Sequence, residues 1–140
     1  MTADSLATTA VEETVAAGER FAQSLAPGAV ILLYGQLGAG KTAFVRGMAK
    51  GLGAAADEVS SPTFTIIQEY EASGVTLYHV DLYRLEPVEV DDLGLEELVS
   101  GGGIVAIEWA ERWRERPDDA IEVRIEDRGE DQRAIEIRRN

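Results

Sequence analysis

The 140-residue chain contains no cysteine, so neither a disulfide nor a thiolate metal site can form. Its single histidine, His79, excludes a multi-histidine metal centre. Lysine is scarce as well: only Lys41 and Lys50 occur, although arginine is plentiful. No apolar run approaches the roughly 20 residues that a membrane-spanning helix needs. Residues 1–9 lack the basic start and apolar stretch of a secretory signal, which makes a cytoplasmic location the expectation. Positive charge is outnumbered: 13 Lys and Arg against 26 Asp and Glu leave a net charge of −13. A field of that sign repels nucleic-acid phosphates, so no direct nucleic-acid binding is expected. Arg112, Arg114 and Arg116 do cluster, but Glu111, Glu115, Asp118 and Asp119 surround them. That pattern reads as a solvated, mixed-charge face.

What is present describes a globular α/β chain. Hydrophobic residues make up 45% and charged residues 28%, which suits one domain over residues 1–140 with one core. Thr8 and Thr9 precede a helical spacing of Val11, Val15, Phe21, Ala22 and Leu25, with Glu12 and Glu13 in the first turn. A threonine-capped helix is expected there, ending before Pro27 and Gly28. Val30 to Tyr34 is almost wholly apolar, as a strand covered on both faces must be. Strands are further expected over 65–70 and 75–80 around a Ser73-Gly74 turn, and over 104–107. A helical period runs from Pro87 to Val99, and residues 110–116 suit one or two helical turns. Two alternating segments, 120–126 and 133–138, predict a C-terminal antiparallel hairpin with one wet face. Interleaved helices and apolar strands give an α/β fold with a mixed sheet.

One stretch organises the rest. Gly35, Gln36, Leu37, Gly38, Ala39, Gly40, Lys41 and Thr42 fit the pattern Gly, four residues, Gly-Lys-Thr. An apolar strand leads in and a helix-compatible segment, 42–52, leads out. Glycines let the backbone wrap a phosphate, and the loop N–H groups and helix N-terminus point at it. Lys41 adds charge toward the outer phosphates, and the Thr42 hydroxyl can ligate Mg²⁺.

Ligands of open α/β sheets bind beyond the carboxyl ends of the strands, so residues that follow apolar runs are the candidates to serve the loop. Glu108 follows 104–107 and is the expected Mg²⁺ ligand. Asp81 follows 76–80 and is the candidate to assist the metal or the attacking water. His79 shares a strand face with Asp81; its ring reads as structural. Arg84 can pair with a carboxylate or touch phosphate. Ser61, Pro62 and Thr63 form a hydroxyl-bearing loop that can sense a terminal phosphate as a switch loop does, or simply turn the chain.

Taken in order, the phosphate loop, Ser-Pro-Thr-Phe-Thr from Ser61, Tyr-His-Val-Asp-Leu-Tyr-Arg-Leu from Tyr78, Leu-Gly-Leu-Glu-Glu from Leu93, and Ile107-Glu108-Trp109 resemble the TsaE (YjeE) family. These are P-loop ATPases of bacterial tRNA threonylcarbamoyladenosine biosynthesis. The resemblance covers roughly residues 18–109. It implies a P-loop NTPase-like fold, ATP and Mg²⁺ as cofactors, and slow hydrolysis by the isolated protein. It also implies partnership with a TsaD–TsaB type heterodimer, one member of which carries the threonylcarbamoyl transferase activity toward adenosine 37 of tRNA. By the same resemblance Lys41 holds phosphate, Thr42 and Glu108 bind Mg²⁺, and Asp81 assists metal or water. Ser61 to Thr63 form the switch-like loop, and Trp109 lies near the nucleotide or partner face. Gln36 departs from the family, which usually carries Asp there; the amide still hydrogen-bonds but the negative charge is gone. The C-terminal hairpin carries no matching motif, and Arg133 is its candidate for an adenine contact. A small-molecule kinase and a non-catalytic nucleotide-sensing module are the alternatives, the first disfavoured by the little room left for an acceptor pocket and lid.

Overall fold

The computed structural model describes residues 2–36, 38–54 and 66–139. Leu37, Ser61, Pro62 and Thr63 lie outside the described residues. A strand as apolar as β2 (Val30–Tyr34) has no side to show to water, and the chain places it inside the sheet. Its neighbours, both parallel to it, are β5 (Ile104–Glu108) and β6 (Ile121–Asp127). Beyond β5 lie β4 (Thr76–Asp81), parallel to it, and β3 (Ile67–Glu71), antiparallel to β4. Beyond β6 lie β7 (Arg133–Arg139) and β1 (Thr2–Thr8), each antiparallel to its neighbour. The seven strands therefore run β1-β7-β6-β2-β5-β4-β3. The mixed sheet and the C-terminal hairpin agree with the sequence pattern. No helix among the described residues is long and apolar enough to cross a membrane.

Alternate residues of the central strands feed two cores. One face carries Ile31, Leu33, Leu77, Ile104 and Val123, packed under Phe21 of α1 (Val11–Gln23) and Phe44 and Met48 of α2 (Lys41–Leu52). The other carries Leu32, Val80, Val105 and Ile107. These pack against Val90 of α3 (Pro87–Val90), Leu95 of α4 (Leu95–Val99), and Ala110 and Trp113 around the 3₁₀ turn Ala110–Arg112. The two long helices touch through glycine. A Cβ on Gly47 would sit 1.9 Å from the Val15 carbonyl oxygen, and one on Gly18 2.1 Å from that of Phe44. This contact fixes α2, and with it the loop that α2 continues.

Two expectations change and two features are added. Residues 2–8 form an edge strand, paired with β7 from Thr2 opposite Arg139 to Thr8 opposite Arg133. The α1 N-cap is Ala10, without a side-chain cap; instead the Thr9 N–H and hydroxyl both donate to Glu13 Oε1, at 2.7 and 3.1 Å. The period from Pro87 to Val99 breaks into two short helices, because Gly94 takes a φ of 77° that no helix continues through. The arginine cluster keeps the exposed, mixed-charge face that the sequence suggests, and its guanidinium groups also find partners. Arg112 donates to the Leu85 carbonyl at 2.8 Å, Arg116 to those of Ala110 and Trp113 at 3.1 and 2.7 Å, and Arg114 pairs with Asp91.

Candidate phosphate-loop site

The loop between β2 and α2 owes its shape to two glycines. A Cβ on Gly35 would meet the Ile125 carbonyl oxygen at 2.6 Å, so only glycine lets β2 leave the sheet this close to β6. Gly40 caps α2 with a φ of 110°, a value other residues rarely adopt. The first turn of α2 then opens onto a cavity of about 310 Å³. Gly38, Gly40, Lys41 and Thr42 form one wall, and Asp81, Glu108 and Trp109 the other.

The facing wall is set by strand register. Asp81 and Glu108 are direct partners across the parallel β4–β5 pair, at the carboxyl ends of both strands. His79 lies two residues back on the same face, opposite Ala106. Its Nε2 lies 2.5 Å from Glu108 Oε2. The Thr42 hydroxyl donates to the same oxygen at 3.4 Å. Lys41 is buried, 4% exposed, and spends its ammonium on the Gly35 carbonyl at 2.5 Å. The ammonium also sits 4.0 Å from the ring centre of Trp109, within cation–π range. Trp109 reaches that position from a left-handed backbone, φ 58°, and its indole packs on Tyr83 with ring centres 5.0 Å apart.

The electrostatics follow from burial. Burial pushes the Lys41 ammonium below its ordinary pKa, against the pull of Glu108, Glu111 and Asp81. Burial also pushes the Asp81 carboxyl up; the Tyr83 N–H, donating to Asp81 Oδ1 at 3.0 Å, opposes it, Glu108 adds to it, and His79 and Lys41 oppose it.

Thr42 and Glu108, named from the sequence, are thus brought within hydrogen-bond reach of each other. Lys41, Asp81 and Trp109 join them around one cavity. Gln36 is solvent-exposed, and its carbonyl accepts the Ala39 N–H at 3.0 Å. Arg133 Nη2 reaches the Gly38 carbonyl at 3.5 Å, while Nη1 holds the carbonyls of Glu130 and Gln132 at 3.0 and 2.9 Å. The sequence reading missed the engagement of His79 with Glu108. The signal available was the two-residue offset of His79 from Asp81 on a strand whose neighbour carries Glu108.

The donor set fits a hard cation. Thr42 Oγ1 and Glu108 Oε2 are oxygen atoms that meet at a helix N-terminus. Among the described residues no group of three or more His, Asp or Glu side chains could hold a metal ion by itself. A sparse oxygen set of this kind suits Mg²⁺, which takes one or two protein ligands and completes its shell with phosphate and water.

Residues 8–135 match the sequence model of TsaE, described as the threonylcarbamoyl adenosine biosynthesis protein. The tRNA threonylcarbamoyladenosine biosynthesis protein TsaE of a Nostoc species is 47% identical over 130 residues, 90% of this chain and 80% of the relative. That of Bacillus subtilis is 46% identical over 125 residues, 89% of this chain and 78% of the relative. A crystal structure of B. subtilis YdiB superposes with a TM-score of 0.80 at 36% identity, covering 97% of this chain and 84% of that one. With a family match across most of its length and relatives this similar, the chain belongs to the TsaE family.

Proposed function

We propose that this chain is a Mg²⁺-dependent ATPase that supports the threonylcarbamoyl transferase complex in modifying adenosine 37 of tRNA. Membership of the TsaE family gives it a role in tRNA threonylcarbamoyladenosine biosynthesis. The observation that carries the finer reading is the meeting of Thr42 Oγ1 and Glu108 Oε2, 3.4 Å apart, beside a buried Lys41 at the mouth of a glycine loop.

In this reading the loop N–H groups and the α2 N-terminus bind the β- and γ-phosphates. Lys41 exchanges the Gly35 carbonyl for phosphate oxygens, which carry full charge and bind it more strongly. Thr42 and Glu108 would hold Mg²⁺, which when bound would supply positive charge against the charge that develops on the phosphates. Asp81 orients the attacking water and takes its proton; burial, by raising its proton affinity, favours that role. The water oxygen bonds to the γ-phosphorus, the bond from phosphorus to the β,γ-bridging oxygen breaks, and ADP leaves with that oxygen. The net charge of −13 favours action through protein partners, a TsaD–TsaB type heterodimer in the cytoplasm, over direct contact with tRNA.

The test is a multiple-turnover transfer assay with that heterodimer. Wild-type chain plus ATP sustains repeated cycles, and Glu108→Ala does not. Equal turnover with and without the chain refutes the coupling, and phosphate transfer to a metabolite instead of water refutes the ATPase assignment.

A further inference from the structure

Glu108 is 4% exposed and His79 is fully buried, so their contact is a buried polar contact that needs a reason. Its geometry supplies one. His79 and Glu108 are diagonal neighbours across parallel strands, His79 standing opposite Ala106 and Glu108 opposite Asp81. The small Ala106 leaves the imidazole room to lean along the sheet toward the carboxylate. Glu108 is acceptor-only when ionised, so the 2.5 Å contact is an Nε2–H donating to Oε2. Nδ1, buried, has no partner among the described residues. An orphaned buried nitrogen costs stability, which a purely structural core position would avoid by carrying an apolar residue. Among the described residues, the ring's one polar contact goes to the oxygen that Thr42 also reaches.

We infer that His79 is a positioning residue that fixes the Glu108 carboxylate for the cation shared with Thr42. This rests on the Mg²⁺-nucleotide reading of the site. Hydrogen bonds from outside the ligand set orient ligating carboxylates, and their loss typically weakens metal binding about 10–100-fold.

The test compares two buried amides of different reach. The Gln amide nitrogen stands where Nε2 does, and that of Asn where Nδ1 does. ADP is titrated calorimetrically into wild type, His79→Gln and His79→Asn, once in EDTA and once across a Mg²⁺ series. His79→Asn should need about 10–100-fold more Mg²⁺ for half of the cation-dependent tightening while keeping its EDTA affinity within about twofold. His79→Gln should restore most of the Mg²⁺ response. His79→Leu, which removes the donor entirely, should behave as Asn does; if it fails to fold, the two amides still carry the comparison. Equal Mg²⁺ responses in Gln and Asn, or parallel loss of metal-free and metal-dependent affinity, would overturn the positioning role. A wild type that binds no ADP, or binds it without regard to Mg²⁺, overturns the site reading itself, a different and separately visible result.

Discussion

Substituting Gly47 by Ala tests how α2 and the glycine loop before it are held. The new Cβ would lie 1.9 Å from the Val15 carbonyl oxygen, 2.8 Å from its carbon and 2.9 Å from the Glu19 nitrogen. All three are backbone atoms of α1, so no rotamer relieves the clash. Restoring an ordinary separation of ~3.5 Å requires the two helices to part by roughly 1.5 Å. That movement loosens Phe44, Val45 and Met48, all 0% exposed, against Ala17 and Phe21. Overpacking of this kind costs about 1–3 kcal/mol, occasionally more, and a rigid backbone contact belongs at the upper end. Alanine returns about 0.8–1.0 kcal/mol through its helix propensity. A net loss of about 2 kcal/mol is expected, a fall in Tm of roughly 6–10 °C for a chain of this size. Thermal unfolding of apo protein checks it, with Gly101→Ala as control, where the nearest atom is 3.3 Å away and the change should stay within about 0.5 kcal/mol. A Tm for Gly47→Ala equal to or above wild type would mean propensity alone governs the site, and would refute the account of how α2 is seated.

Three further outcomes are expected. Lys41→Ala should reduce ATP affinity by at least about 10-fold, the scale of one charged hydrogen bond, with the circular dichroism spectrum unchanged; undiminished binding in calorimetry contradicts the phosphate assignment. Glu108→Ala should depress Mg²⁺-dependent hydrolysis more than nucleotide binding measured in EDTA, and an equal fall in both would make Glu108 structural. Asp81→Asn should stabilise the apo protein at pH 7. Because burial raises the folded pKa of Asp81, its contribution is fully present below the unfolded value of ~3.9 and is lost as pH rises through the folded value. The charge it carries at neutral pH therefore opposes folding. Paired melts of wild type and Asp81→Asn should show the mutant's advantage at pH 7 vanish below pH 4; a mutant that melts lower at pH 7 contradicts the sign.

Local chemistry was legible in the sequence where a residue type has one use. The loop glycines, Lys41 and Thr42 announce themselves by spacing, and the apolar run of β2 fixes a covered strand. Asp81 and Glu108 are candidates from the sequence because strand ends face the ligand edge of such a sheet; that they are register partners is a tertiary fact that no local pattern carries. For the same reason β1 escaped notice. Its residues lack β-branched bulk apart from threonine, and its order comes from pairing with β7, more than a hundred residues away. The break at Gly94 was hidden beneath an unbroken apolar period, since periodicity reports faces and not backbone sign. The arginines near Trp109 do form an exposed, mixed-charge face, but charge counts do not reveal carbonyl acceptors such as those of Leu85 and Ala110. His79 read as structural because its partner Glu108 lies 29 positions on.

The most direct measurement is phosphate release from ATP by the purified chain, followed in Mg²⁺, in EDTA, and with the TsaD–TsaB type heterodimer added. The account predicts slow release in Mg²⁺, none above background in EDTA or with Lys41→Ala, and faster release when the heterodimer is present. Release that is indifferent to Mg²⁺, to Lys41 and to the heterodimer would contradict it.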